Sequence, residues 1–319
     1  MSRIKHRRNF LQGAGGAMAA SAAVGGTGGR AAEAFLGAAG RTETEAQSVP
    51  IAVFAKHLQA LPPEELARRL GTLPVAGIEA TLRRGGQIEP ERLDAELGRL
   101  CDLLARYERR IVIAASDVNR ATPAAQRYLR TLARHDIRLF RMAYYRYDFN
   151  RPIVPQMEAF ARQAQELAEL AKAEGVAGLY QNHAGRNYVG AALWDLAEVL
   201  REVGADDIGV AVDIRHTGVE LTQSFQSATR RIDPHRRAVY VKDFRWSANG
   251  QPENVPLGQG LARPVFDDLQ SLGFRGPLSL HMEYTDHRDP SQVEASWRAI
   301  CNDVRTLQQW LQSPEASQG

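Results

Sequence analysis

Cysteine is nearly missing: Cys101 and Cys301 are the only two in 319 residues. Two thiols so far apart make no disulfide framework. Both fall in stretches with helical periodicity, where they read as buried, unreactive side chains. An excess of one charge is also lacking. Five of the 40 basic residues and one of the 37 acidic residues lie within residues 1–34, leaving 35 against 36 in the rest. No basic stripe remains to follow a phosphate backbone, so nucleic acid is not an expected partner. The longest uncharged stretch, running to Gly29, is too rich in glycine for a stable membrane span. The remaining composition, 44% hydrophobic and 24% charged, is that of a globular chain with a sizeable core.

The front of the chain reads as an address. His6-Arg7-Arg8-Asn9-Phe10-Leu11-Gln12 resembles the twin-arginine export signal, a Gly/Ala run follows it, and Ala32-Glu33-Ala34 offers a small-x-small cleavage site. That resemblance implies a periplasmic or secreted protein that crosses the membrane already folded. No cysteine lies near the cut to carry a lipid anchor.

Beyond residue 50, apolar runs alternate with longer amphipathic segments. The runs are Ile51–Leu58, Gly77–Arg83, Ile111–Val118, Ile137–Tyr147, Gly175–His183, Ile208–His216, Ala238–Trp246 and Leu278–Tyr284. Between them, stripes such as Leu93, Leu97, Leu100 and Leu104 keep helical spacing. Strand then helix, eight times over, predicts a single (β/α)8 barrel of the α/β class. An open doubly wound sheet would want a glycine-rich phosphate turn after its first strand, and Lys56-His57-Leu58-Gln59 is not one. The expected organisation is an export signal over 1–34, a flexible linker over 35–48, the barrel over 49–312 and a disordered tail over 313–319.

In such a barrel, functional groups gather where the strands end. Those ends offer Lys56 and His57, Glu79 and Arg83, Asp117, Arg141 and Tyr145, Gln181 and His183, Asp213 and His216, Lys242 and Asp243, and His281 and Glu283. Burying so many polar groups unpaired would be unfavourable, which argues for a shared polar site. Gln181 and His183 are two apart and share a face, as do His281 and Glu283. Asp213 and Glu283 lie two strands apart and could converge either on a divalent cation or on Lys242, whose strand lies between them.

These strand ends resemble the xylose-isomerase-like barrels, the superfamily of sugar epimerases, isomerases and endonuclease IV-type enzymes, over residues 51 to 312. Tyr180 to Gly185, Asp213 to His216, Lys242 to Trp246, Pro256 to Gly260 and Leu280 to Tyr284 are similar to a branch named sugar phosphate isomerase/epimerase. Ala55 to Gln59 and Arg83 to Gly86 fit it too. The resemblance implies a carbohydrate as small-molecule partner and a divalent metal, manganese, magnesium or similar, as cofactor. In the sugar epimerases of the superfamily the metal is held by a Glu, an Asp, a His and a final Glu, and the two glutamates take and return a proton. Position by position, Asp213 matches the Asp, Glu283 the final Glu, and His216 a substrate-contacting histidine. Gln181 stands in place of the first Glu, and Tyr240 in place of the ligating His.

An amide oxygen can ligate a hard cation but cannot accept a proton near neutral pH, so epimerisation by two carboxylates fails here. The candidate metal ligands are Asp213, Glu283 and Gln181. The candidate catalytic groups are Glu283 as base, Lys242 as stabiliser of an enediolate, and His183 or His216 as the group that returns the proton. His57, Glu79, Arg83, Arg141, Gln181, Trp246 and His281 are candidate substrate contacts. Arg83 and Arg141 could grip a carboxylate or phosphate, or pair with Glu79 and Asp148. Trp246 could stack on a sugar, while Trp194 is expected to pack within a helix. One base with one acid of another kind suits isomerisation, or β-elimination from a keto-glycoside. A barrel that binds sugar without chemistry is the third reading. Export disfavours a phosphorylated substrate.

Overall fold

Each apolar run carries one barrel strand, and each barrel strand is shorter than its run. The computed structural model describes residues 49–312. The strands are β1 (Ile51–Phe54), β2 (Gly77–Thr81), β3 (Arg110–Ala115), β4 (Leu139–Arg141), β5 (Ala177–Gln181), β6 (Ile208–Asp213), β7 (Arg236–Val241), β8 (Asp243–Trp246), β9 (Pro252–Val255) and β10 (Leu278–Leu280). Eight of them, β1 to β7 and β10, close into a parallel barrel in sequence order, as a (β/α)8 chain with helical crossovers does. The hairpin β8–β9 stands apart, pairing antiparallel from Asp243↔Val255 to Trp246↔Pro252. The expected export signal, linker and tail lie outside the described residues. No helix among the described residues is long and apolar enough to cross a membrane.

The barrel is filled from inside and clad from outside. Ala52, Ile113, Leu179, Ala211, Ala238 and Tyr240 form the inner core, small residues from three strands packing against one large ring. The larger core lies between strands and helices, and each helix contributes one apolar stripe: Leu93, Leu97, Leu100 and Leu104 of α2 (Leu93–Ala105) are all buried. Cys101 on α2 and Cys301 on the last helix (Val293–Gln312) are only partly buried and are free thiols. Burial lifts Cys101 to about 11, so it is inert at neutral pH.

Two loops at the strand ends are set by close approach. After β2 the chain folds back so tightly that a Cβ on Gly86 would lie 2.3 Å from the Thr81 carbonyl oxygen, and Gly85 sits at φ +64. This turn carries Arg83. After β7, Asp243 accepts backbone hydrogen bonds from Phe244 and Ala262 on one oxygen and from Gly258 and Gly260 on the other. A Cβ on Gly260 would lie 2.3 Å from that carboxylate. The Pro256 to Gly260 segment is therefore a carboxylate-bound turn, and Asp243 is its anchor.

Candidate active site

Residues two apart on a strand stack up the barrel axis. The lower layer is built on Glu79, which is fully buried on β2. One carboxylate oxygen accepts from Ser279 Oγ at 2.6 Å and from His281 Nε2 at 2.9 Å; the other lies 3.3 Å from Arg141 Nε. Burial alone would favour the neutral acid, but Arg141 and His281 outweigh it and hold Glu79 at about 2. Arg141 stacks over the Phe54 ring at 4.9 Å, and His281 lies between Phe54 and Tyr240 at 4.3 and 4.4 Å. Glu79 and Tyr240 thus support the site from beneath.

Above this layer a cavity of about 190 Å³ opens at the carboxyl ends of the strands. Lys56, Arg83, Tyr144, His183, Lys242 and Glu283 line it, together with Phe54, Arg141, Gln181 and His281. At its centre is a chain of charges. Lys242 Nζ lies 3.1 Å from Asp213 Oδ2 and 2.8 Å from Glu283 Oε2, while Glu283 Oε1 is 3.3 Å from Lys56 Nζ. Asp213 and Glu283 therefore meet at one atom. Burial would lower the Lys242 pKa, yet the two carboxylates outweigh it and raise it. Burial would likewise raise Glu283, but Lys242, His281 and Lys56 hold it well below the usual carboxylate range. Lys56, nearer the mouth, is pulled down by desolvation despite Glu283.

Asp213 has a second duty. It is the N-cap of α6 (Ile214–Leu221), its Oδ1 accepting the His216 backbone N–H at 3.0 Å, so the Asp-x-x-His spacing is that of a helix cap. Asn182 fixes it further, accepting the Asp213 N–H at 2.7 Å and donating to Thr217. The His216 ring accepts from the Arg215 guanidinium at Nδ1, which puts its proton on Nε2, 3.7 Å from Asp213. His183 is held between two rings, His216 at 3.9 Å and Tyr188 at 4.4 Å. Its Nδ1 lies 2.8 Å from the Ala184 carbonyl and so carries the proton, which leaves Nε2 with a lone pair. Burial lowers His183 and His57 to about 4, and lowers His216 well below its ordinary 6.5.

These shifts predict acid sensitivity. A histidine whose folded pKa is depressed contributes stability fully present above its unfolded value, near 6.5, and lost as pH falls toward the folded value. Each such histidine forfeits roughly 1.4 kcal/mol per pH unit in that window. The melting temperature is expected to be flat from pH 8 to 7 and to drop steeply between pH 6.5 and 4.5. A flat profile down to pH 4.5 contradicts the buried, neutral imidazoles.

Of the residues singled out in the sequence, Arg83, Arg141, Gln181, His183, Lys242, His281 and Glu283 border the cavity, and Asp213 and His216 lie directly behind it. Three expected substrate contacts do not: Glu79 is fully buried in the layer below, held by Ser279, His281 and Arg141, and His57 and Trp246 lie elsewhere. His57 is buried away from the cavity with Nε2 on the Thr285 carbonyl, because the chain leaves β1 as a 3-10 turn (Ala55–Leu58) that sends Lys56 inward instead. Trp246, 41% exposed, sits in the β8–β9 hairpin with its ring edge on Phe244. Trp194 does not pack within a helix either: it opens α5 (Trp194–Val199) and is 51% exposed. Tyr144 rather than Tyr145 faces the cavity, since β4 ends at Arg141 and the alternation lapses; Tyr145 stacks on Phe160 and donates to Asn119.

The residues present do not fit a divalent cation. Gln181 Oε1 accepts from Arg141 at 2.8 Å and from Tyr144 at 2.7 Å, which fixes the amide so that Nε2 donates to Asp213 at 2.8 Å. Gln181 thus offers a donor where a ligand must offer oxygen, contrary to its expected role. Tyr240, in the ligating histidine's place, lies in the layer below. The meeting point of the carboxylates is taken by the Lys242 ammonium. Among the described residues, no group of three or more His, Cys, Asp or Glu side chains is arranged to hold a metal.

A closed parallel barrel with a polar, charge-laced mouth defines a TIM barrel with a small-molecule site. The chain belongs to the xylose isomerase-like TIM barrel family, whose model matches residues 114–302. Among solved structures it is similar to the D-psicose 3-epimerase with D-tagatose from Clostridium cellulolyticum H10, with 14% identity over 83% of this chain and 99% of that one, TM-score 0.60. It is also similar to the 3-keto-D-glucoside 4-epimerase of E. coli, with 14% identity over 81% and 99%, TM-score 0.55. A third is the xylose isomerase-like TIM barrel protein of Mycobacterium smegmatis in complex with magnesium, with 13% identity over 81% and 98%, TM-score 0.56. At these identities the likeness is one of fold. The search of curated proteins finds no significant match.

Proposed function

We propose that the protein is a sugar isomerase or epimerase-type enzyme that removes a proton next to a carbonyl and restores one elsewhere on the same small carbohydrate. The observation that carries this reading is the clamp on Glu283: a carboxylate at the cavity wall held between Lys242 and Lys56. Glu283 is ionised at any ordinary pH, so it needs no prior deprotonation, but its depressed pKa makes it a weak base. The oxyanion side must therefore do most of the stabilising. Lys242 has three N–H bonds and uses two on Asp213 and Glu283, which leaves one for an oxygen that gains charge as the C–H bond breaks. Once Glu283 holds the proton, the C–H electron pair rests on that oxygen as an enediolate. His183, which lines the cavity with a lone pair on Nε2, is placed to shuttle a proton between enediolate oxygens.

Base and shuttle of different chemistry favour a keto–aldose type of transfer over inversion at one carbon by two equal carboxylates. β-Elimination from a keto-glycoside starts with the same proton abstraction; the Lys56 ammonium, which lines the cavity and whose pKa burial lowers, is a proton donor for a departing oxygen and favours it as the second reading. Arg83 lines the cavity and makes no side-chain hydrogen bond among the described residues, which fits it to an oxygen-rich or anionic end of the substrate. The similarity to a 3-keto-D-glucoside epimerase directs the first trials to keto-sugars and keto-glycosides.

The test is proton exchange. Incubated in D2O with a panel of keto-sugars, aldoses and 3-keto-glycosides, the protein is expected to introduce deuterium at a carbon next to the carbonyl of at least one, read by proton NMR. Isomerisation returns a labelled isomer, and elimination an unsaturated product. Binding to a sugar without any exchange in the panel turns the reading toward a carbohydrate-binding barrel.

A further inference from the structure

We propose that the Lys242 ammonium is the resident cation of this site, occupying the position between Asp213 and Glu283 and excluding a divalent metal from it. The resemblance in the sequence leads to the expectation of a metal there; this chain's own residues close that place in four ways.

The first is occupancy. One atom, Lys242 Nζ, is within 3.1 Å of Asp213 and 2.8 Å of Glu283, so the inward oxygens of both carboxylates are already engaged. The second is the donor set. A hard cation such as magnesium or calcium wants six or more oxygens, whereas Gln181 turns its N–H2 inward and cannot reverse while Arg141 and Tyr144 both donate to its Oε1. The third is charge. Two carboxylates meet two ammonium groups, Lys56 and Lys242, and the four alternate in space, so the cluster is neutral as it stands. A divalent ion entering it would face two cations at close range. The fourth is rigidity. Lys242 is 6% exposed, and Asp213 is fixed by the helix cap and by Asn182, so neither partner can swing aside without unpairing a buried charge. The ammonium then supplies, with one charge and a directed N–H, the electrostatic service that a metal supplies as a Lewis acid.

The inference does not depend on which carbohydrate is turned over, and its test does not read turnover. Manganese is titrated into the full-length protein after dialysis against chelator, and binding is followed by the EPR signal of the free ion. The wild type is expected to bind no stoichiometric manganese up to 1 mM (about the upper end of useful calcium-site affinities) and to show no rise in melting temperature with it. Lys242→Ala removes the ammonium and frees two carboxylates, so it should bind at least tenfold more tightly than wild type, and Asp213→Asn in that background should abolish the gain. One manganese bound per wild-type chain overturns the proposal, as does a Lys242→Ala variant that folds but binds no better than wild type. Should Lys242→Ala not fold, the wild-type titration and its melting curve decide the matter alone. A protein that excludes manganese yet exchanges no sugar proton upholds this inference while the proposed function fails.

Discussion

Glu283→Gln lowers proton exchange and turnover by about 10²- to 10⁴-fold, the range that a positioned general base contributes. The substitution is nearly isosteric, so its effect isolates the proton-accepting oxygen from the shape of the cavity wall. An amide can still accept a hydrogen bond from Lys242, and Lys242 keeps Asp213 as its counter-charge. Lys56, however, loses its ion pair and turns to solvent through the mouth, being the more exposed of the two lysines. The expected signature is a fall in kcat with little change in KM and little change in melting temperature. Deuterium exchange is the measurement to make, because it reports the proton-abstraction step even when a later step limits turnover. Retention of more than a tenth of wild-type exchange would move the base elsewhere, and His183, neutral with a free Nε2, is the next group to test.

What could be read from the sequence divides along a physical line. The barrel was legible because each strand is a short apolar run and each helix has a stripe, which are local patterns. Strand ends were less so. The run from Ala238 to Trp246 reads as one strand, yet it breaks at Lys242, after which Asp243 begins a separate hairpin with β9; Asn249-Gly250 in the loop between them, with Gly250 at φ +73, is the local turn signal for that hairpin, and the unbroken apolar run before it masks where β8 begins. Side-chain direction held past the ends of β5 and β10, placing Gln181 with His183 and His281 with Glu283 on the cavity. It lapsed after β4, which exchanged Tyr145 for Tyr144, and after β1, where the 3-10 turn exchanged His57 for Lys56. The choice between a metal and a lysine at the meeting point of Asp213 and Glu283 was open in the sequence, because it turns on the reach of one flexible side chain and the orientation of one amide. Asn182, which fastens β5 to β6, carried no signal beyond standing between two polar neighbours.

Arg141→Leu is expected to destabilise the fold by about 3–5 kcal/mol, because it strands Glu79 as an unpaired charge in the barrel interior. For a domain of this size that corresponds to a melting temperature lower by roughly 2–4 °C per kcal/mol. The sense of its pH dependence is particular. In the wild type the folded pKa of Glu79, about 2, lies below its unfolded value near 4.5, so its contribution is present above 4.5 and lost as pH falls toward 2. Without Arg141, burial becomes dominant and raises the Glu79 pKa above the unfolded value, so the variant's deficit is largest at neutral pH and shrinks as the solution is made acidic. Glu79→Gln added to Arg141→Leu removes the stranded charge while keeping an oxygen to accept from Ser279 and His281. The double variant should recover most of the lost stability, as urea denaturation at pH 7 would report. A single variant that melts within a degree or two of wild type, or a double variant no better than the single, denies that the lower layer is held by this ion pair. The cavity feels the same change: once Arg141 is gone, Gln181 keeps only Tyr144 on its Oε1. The amide that this layer fixes toward Asp213 is then free to turn, so the arginine beneath the site sets the hydrogen-bond polarity of the wall above it.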